Sequence, residues 1–212
     1  MTIATTPLQG SVRGIPLAMH PAGDFVSDEI RRTGDFHEAE ILDAIATIIE
    51  PGLLVDAGAM IGNHSAYLAA FVPHTAIHAF EPWPANVELL RRNVASYPSV
   101  TVHPVALSDH AWHLRMASEP NLGHSRVTEN GPLEVEAVTL DSFGFEDVTF
   151  LKIDVESHEP QLLAGAAETI ERCHPLILIE DWTGKYGDLL PGYRQVAEWG
   201  RARQTYLYLW AP

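Results

Sequence analysis

Residues 53–65, Leu53-Leu54-Val55-Asp56-Ala57-Gly58-Ala59-Met60-Ile61-Gly62-Asn63-His64-Ser65, constrain this chain more than any other stretch. Residues 53–55 form a short apolar run, the pattern of a central parallel strand covered on both faces. Asp56 stands at the carboxyl end of that strand. Gly58 and Gly62 bracket a tight loop where a ligand can approach bare backbone. Asn63 and Ser65 read as caps of a following helix, whose free N–H groups face the same crevice. In an open α/β sheet that crevice is where ligands bind. A glycine pair after a strand can also serve only to turn the chain, so the reading depends on the elements around it.

Those elements alternate in the same way. Before the loop, Phe36, Ile41, Leu42, Ile45, Ile48 and Ile49 fall at helical spacing, and Glu50-Pro51-Gly52 stops them. After it, strands are expected at residues 75–80, 100–105, 148–153 and 175–179. Helices are expected to about Val72, at 85–96 and at 160–173, the last opened by Pro160. Two shorter strands, 112–116 and 133–138, flank a polar loop at 118–132, and residues 139–143 turn the chain. In the tail, 205–210 is a strand by residue type, with 193–199 as its antiparallel partner or, alternatively, a helix. Residues 1–23 are rich in Pro, Gly and Thr and read as an extended, strand-like stretch. The expectation is a lead-in over 1–34 and a single domain over 35–212. Its fold class is α/β: Rossmann-like, mostly parallel and doubly wound, with an antiparallel C-terminal strand.

Composition removes several function classes. Hydrophobic residues make up 46% and charged residues 19%, as in a soluble globular protein. Lys and Arg total 13 against 28 Asp and Glu, a net charge of −15. That balance argues against nucleic-acid and anionic-membrane partners, both of which need a basic surface. The one cysteine, Cys173, falls in an apparent helix and reads as a packing residue, which excludes an intramolecular disulfide and a thiolate zinc site. No basic-then-apolar leader opens the sequence, and no apolar run reaches the ~20 residues of a membrane span. A cytoplasmic location is expected.

Four strand ends carry an acid: Asp56, Glu81, Asp154, and Glu180 with Asp181. Glu81 lies about 25 positions after Asp56, near the spacing at which a nucleotide-binding fold offers a carboxylate to ribose hydroxyls. The pattern Asp56-x-Gly58-x-x-x-Gly62 lacks the close glycine pair of dinucleotide sites, and its acid would repel a pyrophosphate. It favours a ligand with a cationic, amine-bearing part, such as the methionine end of S-adenosylmethionine.

Five segments, in order, carry a resemblance. They are Val55-Asp56-Ala57-Gly58-Ala59-Met60-Ile61-Gly62-Asn63-His64-Ser65, His78-Ala79-Phe80-Glu81-Pro82-Trp83-Pro84, Val105-Ala106-Leu107-Ser108-Asp109, Thr139-Leu140-Asp141-Ser142, and Leu151-Lys152-Ile153-Asp154-Val155-Glu156-Ser157-His158-Glu159. The chain resembles the FkbM family of S-adenosylmethionine-dependent methyltransferases over roughly residues 36–181, which implies a class I methyltransferase fold. The resemblance implies that Asp56, Gly58 and the backbone of Ala59, Met60, Gly62 and Asn63 hold the methionine part. It implies Glu81 on the ribose with Pro82 and Trp83 beside the adenosine, Ala106 and Leu107 against the adenine, and Asp154 and Glu156 by the transferring methyl. The chain departs from the family at Ser157, usually glycine, and at Met60, commonly asparagine.

Methyl transfer to an alcohol requires alignment, exclusion of water and removal of a proton. His158 is the first candidate base, with packing at a helix start as its alternative role. Asp154 is the second, and His124 sits in the polar loop that could close over a substrate. Asp154 and Asp181 resemble the paired acids that hold Mg²⁺ in catechol-type O-methyltransferases, so a divalent metal stays open. The expected acceptor is a hydroxyl on a small molecule, natural product or glycan. A nucleotide-binding oxidoreductase and a non-catalytic protein of the same fold are the alternatives.

Overall fold

The computed structural model describes residues 8–118, 125–200 and 204–211. In chain order a hairpin of β1 (Leu8–Val12) and β2 (Ile15–Met19) leads into α1 (Phe25–Thr33) and α2 (Ala39–Ala46). Then come β3 (Leu53–Ala57), α3 (Asn63–Phe71), β4 (Ala76–Phe80), α4 (Pro84–Val94) and β5 (Val100–His103). β6 (Ala106–Leu107), β7 (Trp112–Ser118), β8 (Ser125–Val127) and β9 (Leu133–Val138) come next. The chain closes with β10 (Val148–Ile153), α5 (Glu159–Ala164), α6 (Ala167–Cys173), β11 (Leu176–Glu180), β12 (Tyr193–Trp199) and β13 (Thr205–Trp210).

Seven strands form the main sheet in the order β12-β13-β11-β10-β3-β4-β5. From β3 to β5 each strand is laid beside the last in parallel, and β10 then returns to the other side of β3. The order therefore reverses between β3 and β10, the switch point of a doubly wound sheet. The register aligns the strand ends: Ala57 faces both Phe80 and Ile153, and Ile153 faces Ile179. Gly58, Glu81, Asp154 and Glu180, each one residue further on, consequently fall in one row. Both tail strands are antiparallel, β13 to β11 and β12 to β13, so the strand reading of 193–199 holds over its helical alternative.

The expected strand at 100–105 is two pieces. β5 ends at His103, and β6 leaves for a second, four-stranded sheet of order β6-β9-β7-β8. Pro104, which cannot donate to a ladder, marks the division. The expected helix 160–173 is also broken. Gly165 lies against the backbone of Ser108, where a Cβ would stand 1.9 Å from the carbonyl oxygen, and the approach separates α5 from α6. Cys173 is half-buried on α6, its thiol 3.6 Å from the Phe145 carbonyl, as a packing residue would be.

The residues expected as a lead-in are built into the core. Val12, Leu17, Ala18, Met19 and Ile30 are buried in one cluster with Leu54, Ile61 and Leu68. Asn93 on α4 fixes the hairpin: its amide donates to the carbonyls of Ala18 (2.9 Å) and Ile61 (2.7 Å), and its oxygen accepts the Ala18 N–H at 2.6 Å. Asp24 caps α1 by accepting the Ser27 N–H, and Gly34 ends it in the left-handed region. Among the described residues no helix is long and apolar enough to cross a membrane.

Candidate active site

The row of strand ends opens on a cavity of about 420 Å³. Its floor is the glycine loop. Gly58 and Ala59 both donate their N–H to the Phe80 carbonyl, at 3.0 and 2.9 Å, which folds the loop over the end of β4. Gly58 has φ +78°, and a Cβ on it would sit 1.7 Å from the Asp154 carbonyl oxygen. Only glycine lets these two loops close to this distance. The loop continues through Met60, also in the left-handed region at φ 48°.

Glu81 is buried at the cavity wall. Its carboxyl accepts the N–H of Met60 at 2.9 Å and of Trp83 at 2.7 Å, one on each oxygen. Burial pushes Glu81 from 4.5 up to about 7, against those two bonds, which favour the anion. Asn86 also favours the anion, and the carboxyl keeps acceptor capacity for a ligand hydroxyl. Pro82, Ala106 and Leu107 line the same cavity, with Phe80 and Val105, as an apolar slot beside Glu81. Ala59, Met60 and Asn63 line it too.

Three residues expected at the ligand stand behind the wall instead. Asp56 is fully buried, accepts the Ser65 hydroxyl at 2.6 Å and lies 3.5 Å from the Lys152 ammonium. Gly62 turns toward Leu90 on α4, and Trp83 packs on the small sheet's core. Nor are Asn63 and Ser65 helix caps. Gly62 takes the N-cap position of α3 without a side-chain bond. The Asn63 carboxamide pairs with the backbone of His37, donating and accepting at 3.0 Å.

The other half of the cavity belongs to β10 and β11. Lys152 is a buried ammonium whose Nζ donates to the Gly58 carbonyl at 2.9 Å and lies 3.4 Å from Asp154 Oδ2. Burial pulls its pKa down, but Asp154, Asp56 and Glu38 together outweigh that and raise it, so it stays charged. Asp154, Glu156 and Glu180 line the cavity above it. Burial first, and then Asp154, push the Glu180 carboxyl up from its ordinary value. Glu156 and Ser157 occupy the left-handed region at φ 54° and 73°, a conformation that glycine adopts more easily than either. Glu159 holds this turn from inside, accepting the N–H of Val155 and of Ser157 on one oxygen.

His158 also lines the cavity, and its Nε2 is 2.9 Å from the Ser108 hydroxyl. Burial lowers its pKa, with Asp109 opposing, so the imidazole is neutral at neutral pH. With Ser108 donating to Asp109 at 3.1 Å, Nε2 is the donor of the His158 bond and Nδ1 keeps its lone pair. Asp181, the proposed metal partner of Asp154, is not available for that role. It is buried, and its two oxygens accept the N–H groups of Thr183, Gly184 and Tyr186 and the Thr183 hydroxyl. Among the described residues no group of three or more His, Cys, Asp or Glu could hold a metal ion. His124 lies outside the described residues.

Sequence reasoning missed one wall altogether. Phe25 and Val26 of α1 and His37 and Glu38 before α2 line the cavity opposite β10. Glu38 Oε2 is 3.2 Å from His64 Nε2, near enough for an ion pair though out of line for a hydrogen bond. Burial would raise Glu38, but His64, His37 and Lys152 hold it at about 2. His37 in turn bonds Glu29. Phe25 and Trp182, 55% and 62% exposed, stand at the mouth. Lys152 did carry a signal, a lysine inside the apolar run Phe150-Leu151-Lys152-Ile153.

Comparison with known proteins bears on the fold and the family. A methyltransferase from Sordaria araneosa, sdnD, is 29% identical over 65% of this chain and 69% of its own length. The crystal structure of a methyltransferase FkbM from Methylobacillus flagellatus superposes with a TM-score of 0.58 at 19% identity, over 77% of this chain. This chain covers only 45% of that one. A Pyrococcus abyssi tRNA (uracil-54, C5)-methyltransferase, solved with S-adenosyl-L-homocysteine, has a TM-score of 0.56 at 14% identity, covering 97% of this chain and 44% of its own. At these identities the two structures speak for the fold. The Methyltransferase FkbM domain matches residues 56–200, from the buried Asp56 through Glu81, Asp154 and Glu180 to the end of β12, and on that match this chain belongs to the FkbM methyltransferase family.

Proposed function

We propose that the chain transfers a methyl group from S-adenosylmethionine to the oxygen of a hydroxyl on a small molecule or glycan. The observation that carries the donor assignment is Glu81: a buried carboxyl beside an apolar slot, at the end of the strand next to the glycine loop. A cavity of about 420 Å³ is within the usual range for small-molecule sites, and the residues present fit a nucleoside. Glu81 suits two ribose hydroxyls, and Pro82, Ala106 and Leu107 suit the adenine. The bare backbone at Gly58 and the uncapped start of α3 suit the amino-acid end. When bound, the donor supplies a methyl group on a sulfonium, activated for displacement.

The chain's own residues do the rest. The slot and the glycine loop orient the donor, and Phe25 and Val26 of α1 bound the cavity on another side. Two groups lining the cavity can take the hydroxyl proton, neutral His158 and the Asp154 carboxylate. The net charge of −15 supports an acceptor other than nucleic acid or an anionic membrane surface.

A thermal-shift titration, followed by a radiolabel assay with methyl-labelled S-adenosylmethionine, tests the reading. S-adenosylhomocysteine is expected to raise the melting temperature and NAD to leave it unchanged. Label is expected in a hydroxyl probe, nitrocatechol or methyl glucopyranoside. Stabilisation by NAD alone contradicts the donor assignment and favours the oxidoreductase alternative. Stabilisation by S-adenosylhomocysteine with label entering only amine probes contradicts the hydroxyl assignment.

A further inference from the structure

Asp56, the acid expected at the amine of the donor, stands behind the cavity wall with Ser65 and Lys152. The cationic end of that ligand therefore needs another partner. Among the described residues the acids lining the cavity are Glu38, Glu81, Asp154, Glu156 and Glu180. Glu81 stands at the apolar slot, and the last three belong to the end of β11 and the turn after β10. Glu38 is the one at the start of α3, where the glycine loop ends.

Two contacts place it there. The carboxamide of Asn63, the first residue of α3, accepts the His37 N–H and donates to the His37 carbonyl, both at 3.0 Å. The backbone entering Glu38 is thereby tied to the helix start. Glu38 Oε2 then lies 3.2 Å from Nε2 of His64, the next residue of α3. That contact is out of line for a hydrogen bond, so it orients the carboxylate without using up its acceptor positions. Burial opposes the charge on Glu38, but His64 above all, with His37 and Lys152, keeps it ionised.

The backbone fits a binding role better than a capping one. Glu38 holds the N-cap position of α2 in the left-handed region at φ 58°, yet its side chain makes no cap bond to that helix. A residue with a Cβ is strained in this conformation, and such strain gathers at binding sites. The helix beside the carboxylate is α3, which starts at Gly62 with no side-chain cap and no acid in its first turn. A helix start favours negative charge through its N–H groups. A helix start that suits an anion and a carboxylate that suits a cation, side by side on one cavity wall, match the two charges of an amino acid.

Resting on S-adenosylmethionine as the donor proposed above, we infer that Glu38 is the binding residue for its α-ammonium group. The ammonium donates to the Glu38 carboxylate, and the carboxylate of the same amino-acid end lies at the start of α3. Glu38 thus makes the site selective for a nucleoside with an amino-acid tail over one that ends at the sulfur.

Isothermal calorimetry on the full chain tests this with two ligands, S-adenosylhomocysteine and methylthioadenosine. Both carry adenosine and a thioether, and they differ in the amino-acid tail. Wild type is expected to bind S-adenosylhomocysteine more tightly. Glu38→Gln keeps the shape and removes the charge. It is expected to weaken S-adenosylhomocysteine about 10–100-fold and to leave methylthioadenosine within about twofold. Glu38→Gly removes the side chain at a backbone conformation that glycine adopts freely, and is expected to show the same contrast should Glu38→Gln fold poorly. Equal losses for the two ligands make Glu38 a structural group and overturn the inference. So does an S-adenosylhomocysteine affinity that stays unchanged or rises in the variants, which puts the ammonium elsewhere. In both of those results the wild type still binds S-adenosylhomocysteine, so the donor reading stands. If neither nucleoside binds the wild type, the donor reading and the inference fail together.

Discussion

Glu81 is a carboxyl that burial holds near the neutral point, and its pH dependence is the most accessible signature of the proposed donor site. Its pKa in the folded chain is raised from 4.5 to about 7, so the folded state takes up a proton that the unfolded chain releases. The stability this gives is complete below about 4.5 and is lost as pH rises through about 7. Ligand binding runs the other way, since the anion is the form that accepts two ribose hydroxyls. Affinity for S-adenosylhomocysteine should therefore rise with pH across the neutral range, with about one proton released per site below about 7. Glu81→Gln should weaken binding about 10–100-fold and flatten that dependence, as calorimetry in buffers of different ionisation enthalpy would show. A slope retained by Glu81→Gln would assign it to another group. Lys152 makes a companion prediction in stability. It is buried against Asp56, whose Oδ1 has no hydrogen-bond partner, so Lys152→Met leaves that acid alone in the core. The expected loss is about 3–5 kcal/mol in urea unfolding, against about half of that or less for Lys152→Arg.

Elements decide how these groups meet, and they also decide how much is legible in the sequence. The strands of the main sheet are short apolar runs between turn residues, so β3, β4, β10 and β11 are visible in the letters, and with them the acids at their ends. Glu81 and Asp154 follow from that register, whereas Pro82, Ala106 and Leu107 are expected only from the family resemblance, β6 lying in the small sheet. What the pattern does not carry is contact at long separation. Lys152 bonds Gly58 across 94 positions, and the placing of Glu180 beside Asp154 depends on strand neighbours, not on spacing. The roles of Asp56 and Asn63 are not legible for a related reason: their types suit a ligand, but Ser65 and the His37 backbone engage them first. The hairpin is hidden in a stretch with no sustained period, and α1 follows it within the residues read as a lead-in. Val12, Leu17, Met19 and Ile30 nevertheless bury their side chains in the main core. At ~1.5–3 kcal/mol each these four are comparable with the whole stability of a typical domain. A chain starting at Asp35 should lose its cooperative thermal transition by circular dichroism. An unchanged melting curve would show that the first 34 residues are dispensable to the fold.

The whole molecule is one sheet whose reversal point is a site, with a second small sheet and an N-terminal wall around it. The family match starts at residue 56, so Phe25, Val26, His37 and Glu38 of the cavity wall lie outside it. In the proposed function donor binding falls to β3 and β4 and acceptor chemistry to β10 and β11, and Lys152 joins the two halves through Gly58 and Asp154. That division is the central claim, and a crystal structure with S-adenosylhomocysteine tests it most directly. The account predicts the ribose hydroxyls on Glu81, the adenine between Pro82 and Leu107, and the sulfur facing the Asp154 and Glu180 edge. A nucleoside bound away from Glu81, or a sulfur pointing away from that edge, would contradict it.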